Sequence, residues 1–355
     1  MIEIDGSEYS GSGTILRHSV ALATLLRKPL HVTKIRARRS KPGLRRQHLQ
    51  AIMACCELSG GKVEGAEVNS TEILYEPGAA IRAGDFQWDI GSAGSTTMLA
   101  FTLIPPAIFS EAPHHFQITG GLFQDFAPSA FHMQRVLLPT LQQMGVQAEL
   151  QVLRPGYVPE GKGLLAVGTL PLVGPLRALK ILEPGPVKRI QGISLSSHLA
   201  EQKVSERMAQ RSQNILTEKG YRAEIRVLQD TSALQKGAVL TLWAETQKGC
   251  LLGADRAGRV GRSSEAIGEH VARSLLEDIQ AGATVDRYLA DQLILFASLA
   301  RGVTEYLIPM PTEHVETNLW LVEKIVGAKT SLKETHLRVE GIGFDPAGAS
   351  RPSPV

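Results

Sequence analysis

Leu44-Arg45-Arg46-Gln47-His48-Leu49-Gln50-Ala51-Ile52-Met53-Ala54-Cys55-Cys56-Glu57-Leu58 is followed by Ser59-Gly60-Gly61, then by Lys62 to Val68 and Glu72 to Tyr75, and the stretch closes on Pro77-Gly78. The first segment has the spacing of an amphipathic helix, the glycines stop it, and the later segments read as strands. The same succession returns three times. A helix over Phe131 to Met144 stops at Gly145, ahead of the strand Val146 to Leu153, Pro155-Gly156 and a strand over Gly163 to Val167. A helix over Val204 to Lys219 stops at Gly220, ahead of Tyr221 to Leu228 and Ala238 to Glu245. The last helix, Asn318 to Val326, stops at Gly327 before a hairpin of Lys329 to Leu332 and Thr335 to Glu340.

A single unit of this kind cannot bury its apolar face, so the units must pack around shared helices in an α+β fold of repeated units. Gly185-Pro186 and the segment Gln280 to Thr284 flank the third unit, which reads as a smaller inserted α+β domain. The expected division is 1–183 and 280–344 for the large domain, 184–279 for the insert, and a disordered tail over 345–355, rich in Pro, Ser, Gly and Ala.

With 355 residues, 43% of them hydrophobic and 21% charged, the chain can bury a sizeable core. No apolar run reaches the roughly 18 to 20 residues of a membrane span. Met1-Ile2-Glu3-Ile4-Asp5 lacks the character of a signal peptide, so the expected location is cytoplasmic, away from membranes. Cys55, Cys56 and Cys250 have neither a disulfide pattern nor zinc spacing and read as reduced buried thiols. A net charge of +3 is too small for a bulk nucleic-acid binder, but seven of the thirteen residues from Lys34 to Arg46 are Lys or Arg. As a strand, Thr33 to Arg38 would project Lys34, Arg36 and Arg38 from one face, as a local anion site or as a solvated basic edge.

Three further segments carry chemistry. Asp5 to Arg17 places a Gly/Ser loop before an apolar helix, and Ile90 to Thr97 does so again; both suit phosphate binding by backbone amides or close helix packing. Tyr288, Asp291 and Gln292 share a helical face, where a carboxylate suits ribose hydroxyls or a metal and an amide suits a base edge. Pro311-Thr312-Glu313-His314-Val315-Glu316-Thr317-Asn318 holds a histidine just before a helix. A neutral imidazole attacks phosphorus and leaves it readily, which suits a covalent phosphoramidate; a surface histidine beside an N-cap is the plainer alternative.

In this order, over Ile2 to about Glu340, these segments resemble the RNA 3'-terminal phosphate cyclase family. The matching pieces are Asp5-Gly6 with Gly11, Gly13 and Ile15-Leu16-Arg17; Ile35-Arg36-Ala37 with Arg39 and Lys41-Pro42-Gly43-Leu44; Arg46-Gln47-His48-Leu49; Ile90 to Ser95; Tyr288 to Leu293; and His314 with Thr317-Asn318. The resemblance implies a large domain of repeated helix-pair and four-stranded-sheet units, interrupted by a smaller domain. It implies an ATP-dependent ligase-type nucleotidyl transferase that adenylates a histidine and passes AMP to an RNA 3'-phosphate. The vicinal 2'-hydroxyl then displaces AMP to leave a 2',3'-cyclic phosphate. On this likeness His314 is the nucleophile; Arg17, Arg36, Arg39 and Gln47 bind the ATP phosphates or the RNA end; Tyr288, Asp291, Gln292 and Pro128 hold the nucleotide. The implied cofactors are ATP and Mg2+ or Mn2+, the implied partner is RNA ending in a 3'-phosphate, and a homodimer is compatible with it.

The chain departs from the family pattern in its first loop, where Tyr9-Ser10-Gly11-Ser12-Gly13-Thr14 puts Ser10 at the usual glutamate metal ligand. That leaves Glu8 or Asp291 as the carboxylates for a metal. The competing reading is a non-catalytic cyclase-like factor in RNA processing or assembly; such relatives lack the histidine that this chain retains as His314.

Overall fold

The computed structural model describes residues 1–346, and the expected tail falls outside the described residues from 347 onward. The first unit runs β1 (Ile2–Asp5), α1 (Gly13–Leu26), β2 (Leu30–Thr33), α2 (Arg46–Ser59), β3 (Lys62–Glu64) and β4 (Ile73–Glu76). The second runs β5 (Gly84–Asp89), α3 (Thr96–Ile108), β6 (His114–Gly120), then α4 (Ala130–His132), which passes through a π-helical turn (Met133–Leu137) into α5 (Leu138–Gln143), and β7 (Gln147–Arg154) and β8 (Gly163–Leu170). After β9 (Lys180–Ile181) come β10 (Val187–Ser197), α6 (Val204–Glu218), β11 (Ala223–Asp230), β12 (Gly237–Thr246), β13 (Leu251–Ala257) and α7 (Ser264–Gln280). The chain ends with α8 (Leu289–Leu299), β14 (Arg301–Leu307), α9 (Glu313–Val326), β15 (Lys329–Lys333) and β16 (His336–Ile342). No helix among the described residues is long and apolar enough to cross a membrane.

Four four-stranded sheets form among the described residues, in keeping with the α+β reading, and three share one strand order. Their orders are β1-β2-β4-β3, β5-β6-β8-β7 and β9-β14-β16-β15, each a parallel pair extended by an antiparallel hairpin. In the last, the whole stretch from β10 to α8 lies between the parallel strands β9 and β14. The third unit departs from the expected plan: its order is β11-β10-β12-β13, so the segments after α6 do not form a hairpin. β10, absent from the sequence reading, separates them. It pairs parallel with β11 and antiparallel with β12. Its final six residues are all buried: Ile193 and Leu195 face the main core, while Ser194 and Ser196 face the other way and bond to Ser205.

Two other expectations fail for local reasons. Thr33 to Arg38 is not a strand: β2 ends at Thr33, and Lys34 and Arg36 take φ of 48° and 56°. Turn bonds from Ala37 N to Lys34 O and from Arg39 N to Arg36 O wind this segment over the buried Ile35, so the shared basic face does not exist. The strand from Lys62 stops at Glu64 because Gly65, at φ 74°, turns the chain.

α1, α2, α3, α8 and α9 pack together in a core that continues under the sheets. Small side chains let the helices close up; a Cβ on Gly13 would sit 2.1 Å from His48 Nε2, so α1 can cross α2 there only as glycine. The β10–β13 sheet carries a second core against α6 and α7. Its other face returns Ile193, Leu195, Val239 and Trp243 to the main core.

Asp286 ties three units at one point. His132 Nε2 lies 3.0 Å from Asp286 Oδ2, and Gly253 N donates to the same oxygen at 2.8 Å. Tyr288 N and Leu289 N donate to Oδ1 at 2.8 and 2.9 Å, closing the start of α8. Burial opposes both charges of the pair, but mutual attraction outweighs it, raising the His132 pKa and lowering that of Asp286. Asp286→Ala strands a buried histidine and three amides, and should cost roughly 3–5 kcal/mol in denaturant unfolding. Asp286→Asn, which keeps an acceptor oxygen, should cost less.

Candidate active site

The first loop and α9 meet. Ser12 Oγ accepts from Thr14 N at the start of α1, Ser10 Oγ lies 3.0 Å from Ser12 Oγ, and Ser10 N donates to Thr317 Oγ1 at 3.2 Å. Thr312, not the Thr317-Asn318 pair, caps α9, its Oγ1 accepting from Val315 N at 3.2 Å. His314 therefore lies inside the first helical turn rather than before the helix. Its Nδ1 is buried without a hydrogen-bond partner, and the residue as a whole is half-buried. Burial, then the charges of Arg39 and Arg17, hold its pKa below the ordinary 6.5 against the opposing Glu313. The helix N-terminus disfavours imidazolium in the same sense. His314 is a neutral imidazole at neutral pH.

Arg17, from α1, is the most desolvated cation of the group. Its guanidinium touches only Thr14 Oγ1 at 3.4 Å and Met98 Sδ at 3.5 Å and forms no ion pair among the described residues. Burial, with Arg36 and Arg39 repelling it, lowers its pKa to about 10 despite Asp291, so it remains charged at neutral pH. Arg36 donates from Nη1 to Lys41 O at 2.7 Å and Gly43 O at 2.8 Å, locking the turn that carries Arg39. Arg39 is exposed. His48 stands within this field, its Nδ1 accepting from Arg45 N at 3.3 Å, which leaves the proton on Nε2. Burial first, and then four arginines, hold its pKa well below the usual imidazole range.

Gln47, at the start of α2, accepts from Ser95 N at 3.1 Å through Oε1, binding the second small-residue loop to this site. Asp291 lies on α8, opposite α9. Asn318 Nδ2 donates to Asp291 O at 3.0 Å and lies 3.5 Å from Oδ2. Burial, with the Asp286 charge adding to it, pushes the Asp291 carboxyl up to about 7. Two buried acceptors nearby have no hydrogen-bond partner, Gln292 Oε1 and Asn318 Oδ1. In the sequence Asn318 reads only as part of a helix start; its inward direction is a property of α8 and α9 packing.

Tyr288 and Pro128 lie to one side, around His132. Tyr288 meets His132 edge to face at 5.7 Å between centroids. Pro128 O accepts from Thr97 Oγ1 at 2.9 Å, and the next residue, Ser129, donates its N–H to Asp255 Oδ2 at 2.7 Å. Glu8 is exposed on the loop's outer side.

The residues suit a polyphosphate better than a resident metal. Surplus guanidinium and orphaned acceptors fit a nucleoside triphosphate, whose phosphates need countercharge and whose ribose and base supply donors. Among the described residues no group of three His, Cys, Asp or Glu side chains converges to hold a metal ion. Ser10 and Ser12 offer hydroxyls where Mg2+ or Mn2+ favours carboxylates, so no protein-held metal fits this donor set.

A family model described as RNA 3'-terminal phosphate cyclase matches residues 8–332. The chain is 35% identical over 347 residues to an RNA 3'-terminal phosphate cyclase from Pyrobaculum neutrophilum, covering 97% of this chain and 99% of that one. It is 37% identical over 327 residues to one from Archaeoglobus fulgidus, covering 92% and 96%. For one from Thermococcus onnurineus the identity is 39% over 328 residues, covering 92% and 94%. From the Gly/Ser loop to β15 the match takes in every residue of the site, and the chain belongs to the RNA 3'-terminal phosphate cyclase family.

Proposed function

We propose that this chain converts an RNA 3'-terminal phosphate to a 2',3'-cyclic phosphate with ATP, through a covalent histidine–AMP and an RNA-adenylate. The observation that carries the reading is a half-buried His314 with its pKa lowered, standing in the field of Arg17 and Arg39 with no carboxylate ion-paired to it among the described residues. Nε2 attacks the α-phosphorus of ATP, the N–P bond forms, and diphosphate leaves. An oxygen of the RNA 3'-phosphate then attacks the same phosphorus, and His314 departs. The 2'-hydroxyl, losing its proton, closes on the 3'-phosphorus and AMP leaves. Charge accumulates on phosphate oxygens at each step, and in this reading Arg17, Arg36 and Arg39 stabilise it. Asp291 is suited to accept from the ribose hydroxyls, with Gln292 as partner of the base and Tyr288 and Pro128 flanking it. Gln47 orders the Ser92 to Ser95 loop. Any Mg2+ or Mn2+ entering with the nucleotide would rest on phosphate oxygens and water.

Purified protein with ATP labelled at the α-phosphate should acquire acid-labile AMP, and His314→Ala should acquire none while unfolding at an unchanged temperature. Labelling of the wild type should persist below pH 6.5, because the folded-state histidine loses its proton at lower pH than a free one. No labelling of folded wild type would favour the non-catalytic factor. Arg39→Ala removes an exposed guanidinium and should cut kcat/KM for 3'-phosphorylated RNA roughly 10- to 100-fold, with stability unaltered.

Asp291 gives a pH-dependent signature. Its carboxyl titrates at about 7 when folded against 3.8 in the free group, so ionisation destabilises the fold as pH rises through that window. Asp291→Asn should therefore stabilise the protein above pH 7 by roughly 1–4 kcal/mol, and the gain should vanish as pH falls to about 4. Thermal unfolding across that range checks the sign.

A further inference from the structure

Phe126 and Val260 are 107% and 104% exposed, and they lie on segments joined by ion pairs. Phe126 precedes α4, and Val260 is in the turn from β13 to α7. Asp125 receives a two-pronged bond from Arg262, Nη1 to Oδ1 at 3.0 Å and Nη2 to Oδ2 at 2.8 Å. Arg256 Nε stands 3.4 Å from Asp125 Oδ1, and the charge of Arg259 also reaches this carboxylate. Three guanidiniums against one carboxylate leave the cluster positive.

Phe126 has φ 70°, a conformation that a bulky side chain keeps only where its surroundings impose it. The ion pairs one residue earlier are such a constraint. A ring fixed outward in water forgoes roughly 2 kcal/mol of burial. Beside surplus guanidinium it has the make-up of a surface for unpaired nucleic acid, in which a base stacks on the ring and its phosphate meets a cation. The location agrees: Pro128 is two residues away, and the Arg256 charge reaches Tyr288.

We propose that Phe126, with Val260 and the exposed Arg259 on the turn that Arg262 ties to Asp125, is a stacking platform for a base of the single-stranded RNA upstream of the terminal nucleotide. This rests on the reading that the substrate is RNA with a 3'-phosphate. A single strand is required, because a paired base offers no free face to the ring.

The test is competition binding to the full chain, read by fluorescence anisotropy, with a 3'-phosphorylated tetranucleotide and a nucleoside 3'-phosphate as competitors. In Phe126→Ala the ratio of tetranucleotide to mononucleotide affinity should fall about tenfold, the size of one lost stack. Phe126→Tyr keeps the ring and should keep the ratio. Arg259→Ala should lower the salt dependence of tetranucleotide binding by about one counterion. An unchanged ratio in Phe126→Ala, where the wild type binds RNA, overturns the platform and leaves the cyclase reading standing. The platform is equally overturned if Phe126→Ala abolishes self-association instead, which would make the patch a protein contact. Equal losses in Phe126→Ala and Phe126→Tyr also overturn it, and a wild type that binds neither competitor overturns both readings.

Discussion

Arg17 carries its charge half-buried and without a carboxylate at hydrogen-bonding distance, and the rest of the site is arranged around that imbalance. A partly desolvated guanidinium is costly unless something completes it. Asp291 acts on it only through space and is itself pushed towards neutrality. Arg36 and Arg39 add to the positive field, which acts with burial, the larger cause, to lower the pKa values of His314 and His48. An anion relieves all of these at once. Burial and the same field therefore supply both a neutral nucleophile and countercharge for phosphate, an imbalance that enzymes keep where it serves binding.

The repeat architecture sets that field in place. α1, α2 and α9 each contribute from a helical start: the Gly/Ser loop before Gly13, Gln47 and His48 in the first turn of α2, and His314 in the first turn of α9. Helix starts present unpaired amides and positive dipole ends, so converging them reinforces the guanidiniums. Glycine at 13 lets α1 and α2 approach closely enough for His48 to enter. On the opposite side, Asp286 joins α4, β13 and α8 and so orients the helix that carries Asp291 and Gln292. The third unit contributes Asp255 and Arg256 at the edge of this region.

Much of this was legible from periodicity. The helices at Arg46–Ser59 and Val204–Glu218, and the glycines that follow these and Val326, fell where spacing placed them to within two residues. β10 carries a short alternating run, Ile193-Ser194-Leu195-Ser196, but a glycine and several serines make it read equally well as a loop. The turn over Lys34 to Arg39 was missed because basic residues suit an edge strand as well as a loop; left-handed φ at Lys34 and Arg36 follows from the anchoring of Ile35. The start of α9 slipped by five residues, since Thr312 and Thr317 are both plausible caps on spacing alone.

By itself the sequence determined the α+β class, the repeated unit and the residue types available for phosphate chemistry, because these depend on side-chain periodicity and local backbone preference. Only the tertiary structure decided which polar groups lose water and which remain unpartnered. Asn318 reaching Asp291, Ser10 reaching Thr317 and Gln47 reaching Ser95 bridge 27, 307 and 48 positions of chain. Desolvation and through-space charge depend on what is packed within a few ångströms, and that proximity is made by helix crossings that no local pattern encodes.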